Sequence, residues 1–127
     1  MSTLSLRGAR ILIVEDNFVV ADALRYLIDG YGGSVTAIVP TVQRAYEALD
    51  AGHVDVAVLD INQNGASVVP LADHHLEVGV PFVFLSGYGG EELLPEHLRS
   101  HPRFDKPVEA ERLVRALLQL TRRDPAP

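Results

Sequence analysis

Short apolar runs alternate with amphipathic segments along most of the chain. Four of the runs have the length and composition of buried strands, and they cover residues 11–14, 34–39, 54–60 and 80–85. After the first run, apolar residues recur at helical spacing between Phe18 and Ile28. Strands that alternate with helices are typical of a parallel sheet covered by helices on both faces.

The other elements carry weaker signals. Thr41 is a candidate N-cap for a second helix, and a third helix is expected within residues 66–77. A short fourth helix is expected at residues 91–98, and a last amphipathic helix at residues 110–120. Arg103-Phe104 is the only candidate for a fifth strand. The pattern therefore predicts an α/β fold with a doubly wound, five-stranded parallel sheet.

Composition narrows the functional classes. The chain has 127 residues and no cysteine, which excludes a disulfide framework, a thiolate zinc site and a cysteine nucleophile. The net charge of −6 disfavours non-specific nucleic-acid binding, and no apolar run is long enough to cross a membrane. The first residues lack the apolar segment of a signal peptide. We therefore expect one cytoplasmic domain over residues 1–127, with a core at about 10–121 and a polar tail at 122–127.

The histidines give no sign of a metal site. No pair among the five has convincing ligand spacing. His74 and His75 lie near Asp73 and Glu77 in the third predicted helix, so we expect both side chains on a solvated face.

Residues that can carry chemistry follow four of the predicted strands. Glu15 and Asp16 follow the first strand, Asp60 ends the third, Ser86 follows the fourth and Lys106 follows the fifth. The carboxyl ends of parallel strands meet at one edge of a doubly wound sheet, so these side chains should lie together. Lys106 is also the only lysine among eleven basic residues, which draws attention to its position.

This set of side chains suits phosphoryl transfer. Three carboxylates at one edge repel each other, and a hard cation such as Mg²⁺ relieves that repulsion. The Asp60 carboxylate can attack a phosphoryl group and carry it as an acyl phosphate. Lys106 supplies positive charge, the Ser86 hydroxyl supplies a donor, and Gly87 leaves room for a phosphate.

Each of these residues also has an ordinary structural interpretation. Asp16 could cap the first helix and Asp60 could begin a turn. Ser86 could cap the fourth helix, and Lys106 could lie in a solvated turn. Their joint placement at strand ends is what favours the functional interpretation.

In this order and spacing, the motifs resemble the receiver domain of two-component response regulators, over about residues 10–121. Asp60 matches the phosphoacceptor aspartate of that family. The resemblance implies the strand order 2-1-3-4-5 and a Mg²⁺ site made by Glu15, Asp16, Asp60 and the backbone carbonyl of Asn62. It further implies a phosphoryl-binding and switch group made by Ser86, Gly87 and Lys106.

The resemblance also implies a function and partners. A sensor histidine kinase or a phosphotransfer protein would donate the phosphoryl group to Asp60, and this would switch a protein-binding surface around residues 86–106. A downstream protein would read that surface, with no direct contact to nucleic acid or membrane. The chain would not be an enzyme in its own right, but a phosphoacceptor that assists its own phosphorylation and dephosphorylation.

Two positions depart from the usual receiver pattern. The loop after Asp60 lacks the common Met-Pro pair, and Arg103 stands where most receivers have an aromatic residue. Residues 81–88 resemble an atypical subgroup with a Phe-Ala-Thr-Gly-Tyr signature, in which Tyr88 is a candidate switch aromatic. Members of that subgroup are commonly free-standing domains paired with sensor kinases of the HWE type.

Two rival functions remain open at this point. A degenerate receiver could act as a phosphorylation-independent protein-binding module, although the intact acidic pair, Asp60 and Lys106 disfavour it. A Mg²⁺-dependent phosphohydrolase with an aspartate nucleophile is the rival from another class. Such enzymes generally need a second aspartate two positions after the nucleophile, where this chain has Asn62.

Overall fold

The computed structural model describes residues 4–62, 67–87 and 93–121. Its five strands are β1 (Arg10–Val14), β2 (Ser34–Val39), β3 (Val56–Asp60), β4 (Phe82–Ser86) and β5 (Arg103–Asp105). All pairings are parallel and the strand order is β2-β1-β3-β4-β5. This confirms the predicted fold class and strand order.

Within the described residues, four α-helices follow β1, β2, β3 and β5, and they cover both faces of the sheet. They are α1 (Phe18–Gly30), α2 (Val42–Asp50), α3 (Val69–Val78) and α4 (Ala110–Thr121). Thr41 is the N-cap of α2, as predicted, and its hydroxyl accepts a hydrogen bond from the Arg44 N–H. Each of these helices is too short or too polar to span a membrane, within the parts of the chain that are described.

Two apolar clusters lie on opposite sides of the sheet. Along β1, Leu12 points into the cluster that includes α2 and α3, whereas Ile11 and Ile13 point into the one that includes α1 and α4. This alternation follows from the period of two residues in a strand. Because β3 and β4 are buried along their whole length on both faces, their sequences are continuously apolar up to Asp60 and Ser86.

The predicted fourth helix is wrong where the segment is described. Residues 91 and 92 lie outside the described residues, and residues 93–98 contain a 3₁₀-helix at Glu96–Leu98 instead of an α-helix. Pro95 precedes this turn with an extended backbone, ψ 161°. Proline lacks an N–H and its ring clashes with the preceding turn, which prevents an α-helix from continuing through this position.

The expectation of a solvated face on α3 is wrong for His75. The His75 side chain is fully buried, and that of His74 is only partly exposed. His75 shares one helical face with Val68, Leu71 and Ala72, all of which are buried. Helical spacing therefore determines its burial, in spite of the polarity of its ring.

Candidate functional site

The sheet brings the carboxyl ends of four strands together. Asp60 is the last residue of β3 and pairs with Leu85, the neighbour of Ser86 in β4. Ser86 pairs in turn with Asp105 of β5, and its carbonyl accepts a hydrogen bond from the Lys106 N–H at 3.0 Å. The side chains that the sequence placed after these strands therefore occupy one edge of the sheet.

Three carboxylates cluster at this edge. Glu15, Asp16 and Asp60 each offer an oxygen that lies within 4.8 Å of the other two. Glu15 and Asp60 are buried, with 2% and 1% of their surface exposed, whereas Asp16 is partly exposed. Burial and the neighbouring Asp60 together raise the pKa of Glu15 to about 7, although Lys106 works in the opposite direction.

Lys106 provides positive charge inside this cluster. Its Nζ lies 2.8 Å from Glu15 Oε1 and 3.2 Å from Asp60 Oδ2. Burial disfavours the charged ammonium, but the hydrogen bond to Glu15 and the charges of Glu15 and Asp60 outweigh that effect and raise the pKa of Lys106. One ammonium facing three carboxylates leaves excess negative charge at the site.

This donor set fits a divalent cation with hard-ligand chemistry. Carboxylate oxygens are the ligands that Mg²⁺ prefers, and Mg²⁺ needs only one or two of them because it retains several waters. The partly exposed Asp16 places one carboxylate of the cluster within reach of solvent. The three acidic residues that the sequence assigned to Mg²⁺ are thus close enough to share one ion.

Backbone donors orient the two buried carboxylates. The Asn62 N–H donates to Asp60 Oδ1 at 2.9 Å, and the Asn17 N–H donates to Glu15 Oε2 at 3.1 Å. Such hydrogen bonds fix the direction in which each carboxylate presents its second oxygen. In both residues that second oxygen is the one nearer to Lys106.

The segment after β4 is tied to the loop after β3. The Gly87 N–H donates to Asn62 Oδ1 at 2.7 Å, and the Ser86 hydroxyl donates to the Gly87 carbonyl at 2.9 Å. Sequence reasoning gave Asn62 only a backbone role and missed this contact of its side chain. No periodic pattern in the sequence could have indicated it, because it joins two loops across neighbouring strands. Tyr88, the candidate switch aromatic, lies outside the described residues.

Arg103 lies in β5 opposite Phe84, at the position where most receivers carry an aromatic residue. The next residue, Phe104, packs against the apolar cluster that includes α1 and α4. Adjacent residues of a strand point to opposite faces, so Phe104 cannot take the place of an aromatic at 103. β5 of this chain therefore lacks the aromatic residue that most receivers carry at this position.

No family model and no curated protein sequence matches the chain. Among solved structures, SdrG from Sphingomonas melonis Fr1 is 30% identical with a TM-score of 0.78, and the match covers 94% of this chain and 98% of SdrG. A BeF3-activated conformation of SdrG, from Pseudomonas melonis Fr1, is 29% identical with a TM-score of 0.73, covering 96% of this chain and 100% of that one.

Two further structures extend the comparison. The PhyR stress response regulator is 28% identical with a TM-score of 0.72 over 89% of this chain, which spans 45% of PhyR. A CheY-like response regulator receiver domain from Methylobacillus flagellatus, 22% identical with a TM-score of 0.75 over 89% of this chain and 98% of that one, shows the fold alone. Together with the motifs and their placement, these matches identify the chain as a member of the response regulator receiver domains.

Proposed function

We propose that the chain is a phosphoacceptor in a two-component or phosphorelay system, and that Asp60 receives the phosphoryl group. The observation that carries this proposal is the convergence of Glu15, Asp16 and Asp60 within 4.8 Å, with Lys106 Nζ 3.2 Å from Asp60 Oδ2. The similarity to SdrG, which has been solved in a BeF3-activated conformation, supports the same role.

The proposed transfer moves the phosphoryl group from a phosphohistidine to the Asp60 carboxylate. An Asp60 oxygen forms a bond to the phosphorus of a donor phosphohistidine while the phosphorus–nitrogen bond breaks. The electron pair of that bond stays on the imidazole, which takes up a proton. Lys106 offsets the added negative charge, and Ser86 and Gly87 supply hydrogen-bond donors to the phosphoryl oxygens.

Glu15, Asp16, Asp60 and the Asn62 carbonyl are the groups that we expect to hold Mg²⁺. When bound, the ion supplies positive charge beside the phosphoryl oxygens. Glu15 and Asp60 are already held in place by backbone N–H groups, so little reorganisation of these side chains is required.

The output surface lies around residues 86–106, of which 86–87 and 93–106 are described. In the described part, Leu94 and Leu98 are buried, and a short 3₁₀-turn lies at Glu96–Leu98. New charge-assisted hydrogen bonds at Ser86 and Lys106 can bias such a segment by about 1–3 kcal/mol. We propose that a downstream protein reads this surface.

The donor partner belongs to the same proposal. A sensor histidine kinase or a phosphotransfer protein would present the phosphohistidine, and residues 81–88 favour a kinase of the HWE type through their resemblance to the Phe-Ala-Thr-Gly-Tyr subgroup. We propose that the chain acts in the cytoplasm, without direct contact to nucleic acid or membrane and without an enzymatic activity beyond its own phosphorylation and dephosphorylation.

Incubation with Mg²⁺ and a small phosphodonor such as acetyl phosphate tests the phosphoacceptor role. Intact-mass measurement should show one added phosphoryl group, which Asp60→Asn should abolish. Asp105→Asn is the matched control, because Asp105 is an exposed carboxylate at the same edge and should leave the phosphorylation intact. A phosphorylation-independent binding module would gain no phosphoryl group, and a phosphohydrolase would consume the donor over many turnovers without accumulating a long-lived phosphorylated form; either result would overturn the proposal.

A further inference from the structure

The Asn62 residue links the phosphoacceptor to the segment after β4. Its backbone N–H donates to Asp60 Oδ1 at 2.9 Å, and its side-chain Oδ1 accepts from the Gly87 N–H at 2.7 Å. Two hydrogen bonds, both made by Asn62, therefore connect the Gly87 N–H with the Asp60 carboxylate. The Gly87 N–H points at the side chain of Asn62, two residues after the expected phosphoacceptor.

Both expected phosphoryl-binding donors of Ser86 and Gly87 already make hydrogen bonds within the protein. The Gly87 N–H is held by Asn62 Oδ1, and the Ser86 hydroxyl donates to the Gly87 carbonyl. A phosphoryl group that recruits these donors must therefore exchange two existing hydrogen bonds for new ones. The acceptor that competes for the Gly87 N–H is a side-chain oxygen, so a single substitution can remove it without changing the backbone.

We propose that the Asn62 carboxamide is a latch on the phosphoryl-binding residues Ser86 and Gly87. Its Oδ1 accepts the hydrogen bond of the Gly87 N–H until the phosphoryl group takes over that donor. This inference rests on the proposed function, since it assumes that Asp60 is the phosphoacceptor. Asn62 would then be a positioning residue that holds the segment in its resting conformation, in addition to the metal contact expected of its backbone carbonyl.

The close approach of the two loops supports a direct latch. A Cβ added to Gly87 would lie 3.3 Å from Asn62 Oδ1, tighter than ordinary van der Waals contact. Glycine at this position therefore allows the carboxamide to reach the N–H at 2.7 Å. A side chain here would require the Asn62 carboxamide to move back by a few tenths of an ångström.

The first test measures the latch in protein that carries neither metal nor phosphoryl group. In Asn62→Ala, the Gly87 amide should exchange with solvent several-fold faster, and its proton resonance should shift upfield, because the hydrogen bond is lost. Asn62→Asp keeps an acceptor oxygen at the same position and should retain the protection. Unchanged exchange at Gly87 in Asn62→Ala would overturn the inference.

The second test measures the competition itself. BeF₃⁻ with Mg²⁺ stands in for the phosphoryl group on Asp60, and its affinity can be titrated by NMR. Removing a competing hydrogen bond worth a typical net amount should tighten BeF₃⁻ binding roughly two- to tenfold in Asn62→Ala. Asn62→Asp, which keeps the acceptor and adds negative charge, should bind no more tightly than the wild type.

The outcomes separate the latch from the phosphoacceptor role. If the wild type binds BeF₃⁻ and Asp60→Asn does not, the proposed function stands; equal or weaker binding by Asn62→Ala would then overturn the latch alone. If the wild type and Asp60→Asn both fail to bind, the proposed function fails, and the latch fails with it as a control on phosphorylation.

Discussion

Two aspartates at opposite ends of β3 differ in the hydrogen bonds and charges that surround their carboxylates. Asp55, just before the strand, accepts hydrogen bonds from the Arg10 backbone N–H at 2.7 Å and from the Arg10 guanidinium at 3.1 and 3.3 Å. Asp60, at the other end, shares one ammonium with Glu15 in a crowded acidic cluster. The surroundings of Asp55 favour its charge, whereas those of Asp60 combine attraction with repulsion.

The same substitution at these two positions should therefore have opposite effects on stability. In metal-free protein, Asp60→Asn should raise the free energy of unfolding by about 1 kcal/mol, because it relieves repulsion with Glu15 and Asp16. Asp55→Asn should lower it by about 1–2 kcal/mol, because it weakens charge-assisted hydrogen bonds. Urea denaturation at pH 7.5 measures both, and a loss of stability in Asp60→Asn would contradict the repulsive picture.

His75 is a buried titratable group that contributes to the pH dependence of stability. Burial lowers the pKa of His75, while a hydrogen bond between its Nδ1 and the Val80 carbonyl at 3.0 Å works in the opposite direction and the nearby His74 lowers the pKa further. In the unfolded chain, a histidine binds its proton with a pKa near 6.5. The native state therefore binds fewer protons than the unfolded state at pH values just below about 6.5.

The sign of the effect follows from that difference in bound protons. Stability should fall as the pH drops from about 6.5 towards the lowered pKa of native His75, by at most about 1.4 kcal/mol per pH unit from this residue. The difference in urea stability between wild type and His75→Leu, followed from pH 7.5 to pH 5, isolates the contribution. A difference that does not change with pH would show that the native and unfolded states bind the His75 proton equally, and would contradict a lowered pKa.

The turn that ends α1 determines how that helix meets β2. Gly30 is the last residue of α1, and a Cβ there would contact nothing within 4 Å. At Gly33, a Cβ would lie 2.6 Å from Ile28 Cγ2 and 2.9 Å from Leu6 Cδ1. Gly33 thus lets the chain pass closely between α1 and the segment before β1.

Alanine at these two glycines should act in opposite directions. Gly33→Ala should lower the free energy of unfolding by about 1–3 kcal/mol, because it forces apart side chains that are fully or almost fully buried. Gly30→Ala should raise it by about 0.5 kcal/mol through better helix propensity and a less flexible unfolded chain. Guanidinium denaturation measures both, and equal effects of the two substitutions would contradict the packing seen around Gly33.

The sequence predicted the sheet and the edge that carries the site. The central strands are buried on both faces, so their apolar runs were visible without any tertiary information. Because every strand is parallel, the carboxyl ends of the strands lie at one edge of the sheet. This was enough to predict that Asp60, Ser86 and Lys106 lie at the same edge. β5 was expected at Arg103-Phe104 and is found at Arg103–Asp105, at the margin of the sheet.

What the sequence did not predict depends on contacts between distant residues. The burial of His75 follows from which side of α3 faces the core, and a polar residue on that side gives no signal in composition. The hydrogen bond from the Gly87 N–H to Asn62 depends on how two loops approach each other after neighbouring strands. The failure at residues 93–98 has a local cause, because Pro95 outweighs the helical spacing around it.

Mg²⁺ should stabilise the whole fold if the acidic cluster binds it, because the native state alone brings the three carboxylates together. A ligand that binds only the native state adds about 1.4 kcal/mol at a concentration tenfold above its dissociation constant. Thermal unfolding in MgCl₂, compared with NaCl of equal ionic strength, should therefore show an increase in Tm. Asp16→Ala should abolish that increase, whereas Asp73→Ala, at an exposed acid paired with His97 outside the cluster, should retain it. An equal increase in both variants would mean that Mg²⁺ acts on the general surface charge and not at this site.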